Sequence, residues 1–158
     1  MSINESLPVI APLIRALGFL QMIEEGLRVY VGTAEELIAA AVPYGVPFRV
    51  DRSALEAAAM GKLINMFTKV NRNEELLARL RQLTKHRNYI AHEAFRRTIQ
   101  GASNGKEDLE YMKGHAKAVG DEAEQILGIL GQEMKSLLVN YPYSKASQAW
   151  NSPEGGFA

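Results

Sequence analysis

The chain has 158 residues, 18 basic and 18 acidic side chains, an apolar content of 47% and no cysteine. That length suits one domain able to bury about two-thirds of its unfolded surface. The composition excludes disorder and fibrous classes, the missing cysteines exclude disulfides, thiolate metal sites and a cysteine nucleophile, and neutrality excludes a polyanion binder held by net charge alone. Residues Met1 to Ser6 carry no basic n-region, so the expectation is a cytoplasmic protein in a reducing interior. Leu7 to Ile23 is apolar, but Pro8, Pro12, Arg15 and Gln21 interrupt it, which favours a core helix over a membrane span.

Ser6-Leu7-Pro8 reads as a helix start, with proline tolerated in the first turn. Leu13, Ala16, Leu20, Ile23, Leu27 and Tyr30 then recur at the 3-4 spacing of one buried face. Gly32-Thr33 is a candidate interruption, with Thr33 and Glu36 as a capping box for a continuation to about Ala41. Pro43-Tyr44-Gly45-Val46-Pro47 is a loop. A second capping box, Ser53 with Glu56, opens a helix expected to reach about Phe67. Inside it Gly61 costs about 1 kcal/mol relative to alanine, a loss that close packing against a neighbouring helix would offset. Asn71 and Asn73 are candidate caps for a third helix, with Glu74 and Glu75 well placed in its first turn. Leu76, Leu80, Leu83, Ile90 and Ala94 form its apolar stripe, and Asn104-Gly105 marks the next break.

The last helix carries Leu109, Met112, Ala116, Val119, Ala123, Ile126, Leu130 and Leu137 in near-heptad rhythm. Such a stripe wants antiparallel helices at bundle or coiled-coil crossing angles. With no strand periodicity, the expected fold is all-α, an antiparallel bundle of four to five helices over residues 1–140. Residues 141–158 are a polar tail with scattered aromatics, expected to dock on something, such as a second subunit.

Charge is unevenly spread. Between Arg79 and Arg97 six basic residues, including Arg87, Lys85 and Arg96, face only Glu93, whereas seven carboxylates between Glu107 and Glu133 face only Lys113 and Lys117. A locally basic element on a neutral body suits a small anionic ligand, or is a plainly solvated helix face.

Chemistry concentrates in Arg87-Asn88-Tyr89-Ile90-Ala91-His92. Arg87 falls in register with the apolar stripe, and a guanidinium there stays charged and needs anionic or carbonyl partners. Lys85, Asn88, His92 and Arg96 share another face, and Asn88 and His92 are close enough to touch. Arg87 and His92 lie about 140° apart around a straight helix and about 7.5 Å along it. Convergence on one anion therefore requires a distorted turn, the reach of Arg87, or a second copy of the helix. Arg87 buried against a carboxylate of its own bundle, with His92 facing empty solvent, would rule out a shared anion site and leave only a helical fold. Read without the motif, His92 is a surface or interface histidine and Arg87 a cap for a neighbouring helix C-terminus. His86 reads as solvated, and His115, four residues from Tyr111, as structural packing with a hydrogen bond. No Glu-x-x-His pair, glycine-rich phosphate loop or zinc-finger spacing occurs, so neither metal nor cofactor is expected.

The run from Arg87 to His92 resembles the signature of the HEPN superfamily: arginine, a polar residue, three variable residues, histidine. Ala59-Met60-Gly61-Lys62-Leu63-Ile64 is similar to the small-Gly-x-Leu-Ile segment of the preceding helix in that superfamily, and the long heptad helix also agrees. The resemblance spans roughly residues 5 to 140. It implies metal-independent RNA cleavage at a site assembled where two subunits of a homodimer meet, in a toxin–antitoxin or phage-defence setting with a cognate antitoxin as possible partner. By position it makes Arg87, Asn88 and His92 the catalytic set; Lys85 and Arg96, on the same face as Asn88 and His92, are the candidate RNA-binding residues beside it. The residue types suit such chemistry, since an imidazole near pKa 6.5 transfers a proton and a guanidinium meets two phosphate oxygens. Ala94 stands where the branch partnered with nucleotidyltransferase antitoxins has a tyrosine, which puts that partner in doubt. The alternative is a non-catalytic dimeric module binding nucleotide, RNA or protein.

Overall fold

The computed structural model describes residues 3–94, 96–97 and 106–139, with side chains from residue 9 onward and excluding that of residue 106. These residues form five α-helices and one π-helical turn, with no strand among them. The Asn104-Gly105 break and the tail 141–158 lie outside the described residues.

The first helix, α1 (Ile3–Ala41), runs 39 residues, about 58 Å at 1.5 Å per residue. The interruption expected at Gly32-Thr33 does not occur. The buried stripe continues through Val31, Ala34 and Leu37, so tertiary packing outweighs the local preference of Gly32. That glycine also admits a neighbour, since a Cβ there would lie 3.2 Å from Leu55 Cδ2. The chain then turns through Gly45, whose φ of 91° is the left-handed conformation glycine adopts without strain.

The single helix expected from Ser53 to Phe67 is two, α2 (Arg52–Glu56) and α3 (Met60–Phe67). The cap of α2 is Asp51 and not Ser53: its carboxylate accepts from the Ala54 N–H at 3.0 Å and from Ser53 Oγ at 2.9 Å. The break is held open by two side chains one turn apart on α1. Arg28 donates to the carbonyls of Leu55 and Ala58 at 3.4 and 3.3 Å. Glu24 Oε1 accepts from the Met60 N–H at 2.9 Å. Helix ends leave such groups unpaired, and partners on α1 satisfy them. Gly61 is not packed closely: a Cβ there would meet nothing within 4 Å.

Helix α4 (Glu74–Asn88) starts at Asn73, whose side chain accepts from the Leu76 N–H at 3.0 Å, and carries Glu74 and Glu75 in its first turn. Asn71 is buried at the same junction and serves three elements. It accepts from the Asn73 N–H at 2.8 Å and donates to Tyr30 Oη at 2.9 Å and Glu133 Oε2 at 2.8 Å. A π-helical turn (Tyr89–Ala94) follows α4 directly, and α5 (Lys106–Val139) closes the bundle.

Residue pairings give the helix directions. Arg52 pairs with Glu36 and Met60 with Glu24, so α2 descends along α1. Tyr30 meets Phe67, so α3 climbs again. Arg79 meets Glu122 and His86 meets His115, so α4 and α5 are antiparallel. Each helix thus reverses its predecessor, as expected of an antiparallel bundle. The first and fifth are then parallel by parity: Arg15 pairs with Asp121, whereas Gly26 faces Leu130. The expectation fails for this pair because the break at residues 57–59 adds one reversal. Helix α1 packs mainly on α5, and one core holds all five helices, with Leu13, Ile23, Phe67, Leu80, Ile90 and Met112 among its fully buried members.

Candidate functional site

The last turn of α4 is basic, with Lys85, His86 and Arg87 beside the negative end of the helix dipole. The winding then changes to the π form over Tyr89–Ala94 while Ile90 and Ala94 stay buried. Arg87 lies in α4 just before this turn and His92 lies within it, so the i→i+5 winding covers only the later part of the five-residue step between them. A distorted turn is thus present at the motif, one of the three routes to convergence named above.

Arg87 is directed toward α1, where its Nη2 donates to Glu24 Oε2 at 3.2 Å. The arginine side chain is 30% exposed and that of Glu24 16%. Glu24 is fully engaged: Oε1 holds the α3 N-terminus at Met60 and Oε2 holds Arg87. Arg87 is not. A guanidinium has five N–H donors, and among the described residues this one makes a single hydrogen bond. Arg79 is arranged differently. It closes a two-bond fork on Glu122 at 2.7 and 2.9 Å and adds Gln125 at 3.1 Å. That pairing holds the Glu122 carboxyl below its usual range.

Lys85, Asn88 and His92 are exposed, and no hydrogen bond or ion pair joins Arg87, Asn88 and His92 to one another. Arg96 pairs with Glu93 at 3.2 Å, and Arg97 with the same carboxylate at 2.5 Å. Arg97 and then Arg96 push the Glu93 carboxyl down. Much of the basic segment is therefore neutralised within the fold, Arg79 and Arg97 by reaching α5 at Glu122 and Asp108. The single chain does not bring Arg87 and His92 over a shared anion. Arg87 meets a carboxylate of its own bundle while keeping an open edge, and His92 faces outward.

The other flank of α4 carries a ring cluster. His115 lies 5.1 Å from His86 between centroids, 5.0 Å edge-on from Tyr89 and 6.0 Å from a stacked Tyr111. His86 is therefore packed and not simply solvated. His115 packs as expected but lacks the expected hydrogen bond: its Nε2 is buried with no partner among the described residues. Burial, then His86, lowers its pKa from the ordinary value, while burial, then Tyr111, raises that of Tyr89. Among the described residues no group of three histidine, cysteine or carboxylate side chains is placed to hold a metal ion, and no helix is long and apolar enough to cross a membrane.

Sequence reasoning missed Glu24. Its signal was a carboxylate set between Leu20, Ile23 and Leu27, at the edge of the buried stripe of α1. The guanidinium on the apolar face of α4 needed such a partner. Comparison of the chain with protein-family models, with curated proteins and with solved structures finds no match.

Proposed function

We propose that this chain is a metal-independent endoribonuclease of HEPN type whose active site is completed by a second copy of itself. The observation that carries the reading is the π turn at the motif. Around it His92, Asn88 and Lys85 are exposed and without partners among the described residues, beside an Arg87 that is only partly engaged. In the dimer, two His92 imidazoles supply the acid and the base: one takes the proton from a ribose 2′-OH and the other protonates the leaving 5′-oxygen. Arg87 meets the non-bridging phosphate oxygens with its remaining donors, Asn88 orients an imidazole, and Lys85 and Arg96 hold flanking phosphates. A defence or toxin role with a cognate antitoxin belongs to the same reading.

The test is incubation of purified protein with RNA in excess EDTA, followed by end-group analysis. Products ending in 2′,3′-cyclic phosphate, lost in His92→Ala, are the expected result. Unchanged cleavage in that variant removes His92 from the mechanism. Sedimentation should find a dimer.

A second reading, a dimeric binding module without turnover, is favoured by the Glu24–Arg87 pair and by the neutralised basic segment. It expects RNA or nucleotide binding with no cleavage under any of these conditions.

A further inference from the structure

We infer that Glu24 is a positioning residue for Arg87, an inference that rests on the RNA-cleavage reading for its kinetic consequences. A carboxylate has two oxygens, and here each holds a different donor. Oε1 is taken by the Met60 N–H at the start of α3, at 2.9 Å, and Oε2 by Arg87 Nη2, at 3.2 Å. Glu24 meets Arg87 through Oε2 alone and does not close on it as a fork. The guanidinium is held by one nitrogen, with four N–H groups left for an incoming phosphodiester. The closed Arg79–Glu122 fork is what a purely structural pair looks like in this same fold.

The anchor is also tied into the fold. Glu24 stands one turn before Arg28, which caps the other side of the same break by binding the carbonyls of Leu55 and Ala58. Position along α1, the break at residues 57–59 and the orientation of Arg87 are thus one mechanical unit. Fixing a long flexible side chain before substrate arrives removes an entropic cost from the reacting complex. An amide supplies one acceptor oxygen for the two donors that Glu24 serves, so glutamine restores half of the arrangement and alanine none.

The experiment compares wild type, Glu24→Gln and Glu24→Ala in two measurements. The first is the 15N–1H spectrum of the arginine side chains, with Arg87 assigned by its loss in Arg87→Ala. Arg87 should give separate, slowly exchanging guanidinium signals in wild type, partly averaged in Glu24→Gln and fully averaged in Glu24→Ala. The second is metal-free RNA cleavage, normalised to the folded fraction from thermal melts. kcat should fall about tenfold in Glu24→Gln and about 100-fold in Glu24→Ala, with KM changed less than about threefold, the scale of one to two charged hydrogen bonds.

Should Glu24→Ala fold poorly, Glu24→Gln carries the same ordering. An Arg87 signal equally averaged in all three proteins overturns the inference, as does wild-type kcat in both variants. Ordered Arg87 signals in a protein that cleaves no RNA overturn the nuclease reading and leave the positioning role standing.

Discussion

His86 of α4 and His115 of α5 face each other with ring centroids 5.1 Å apart, and the buried Nε2 of His115 has no partner among the described residues. Burial and then His86 hold the His115 pKa below its ordinary value, so the unfolded chain takes up the proton first as pH falls. Stability is therefore fully present above about pH 6.5 and is lost as pH drops from there through the lower folded value. Urea midpoints measured between about pH 7.5 and 5.5 should fall with acidification. His115→Phe, which keeps a ring against His86, Tyr89 and Tyr111, should flatten that slope; an undiminished slope would assign the pH dependence elsewhere.

Two glycines should respond oppositely to alanine. At Gly26 a Cβ would sit 2.8 Å from Leu130 Cδ2, inside the α1–α5 contact, so Leu130 must shift and Gly26→Ala should destabilise by no more than about 1 kcal/mol once the helix preference of alanine is set against the repacking. At Gly61 a Cβ meets nothing within 4 Å, and Gly61→Ala should raise stability by about 0.4–1 kcal/mol. Chemical denaturation of both variants checks the pair.

Asn71 joins Tyr30, Glu133 and the start of α4 through three hydrogen bonds. Asn71→Ala should cost about 1–3 kcal/mol, because buried groups are left without partners. Asn73→Ala, which removes only the α4 cap and one bond to Glu133, should cost about 1 kcal/mol. Equal losses would mean that the buried network adds nothing beyond the cap.

The three basic residues of the candidate site should separate kinetically. Arg87→Ala should remove RNA cleavage. Lys85 has no ion-pair partner among the described residues and is exposed; Lys85→Ala should raise KM about 3–10-fold at unchanged kcat and flatten the salt dependence of binding. Arg96 is already tied to Glu93, so Arg96→Ala should raise KM less. Steady-state cleavage at two salt concentrations distinguishes them.

Arg79→Ala should leave cleavage unchanged and cost no more than about 1 kcal/mol, since its pair with Glu122 is partly solvated. A melt and a cleavage assay on that variant test both halves of the statement.

The buried stripes of α1, α4 and α5 are legible in the sequence, because each depends only on the 3.6-residue period: Leu13 to Tyr30, Leu76 to Ala94 and Leu109 to Leu130 are buried where periodicity placed them, while Leu137, expected in the same stripe, is only partly buried. Asn73 is legible as a cap for the same local reason. The uninterrupted passage through Gly32 is not, since it rests on tertiary packing that buries Val31, Ala34 and Leu37 on either side of it. Nor is the break at residues 57–59, where local signals favour one helix.

What the sequence by itself determined is the set of helical faces and the place of the arginine–histidine motif, both consequences of spacing along one chain. Tertiary structure decided what the motif touches. Glu24 and Arg28, set one turn apart on α1, stabilise a broken α2–α3 connection through long-range capping bonds. That break adds a chain reversal and makes α1 and α5 parallel, and the same Glu24 that caps it also meets Arg87. No local pattern encodes those bonds, because their partners are 27 to 63 residues apart in sequence.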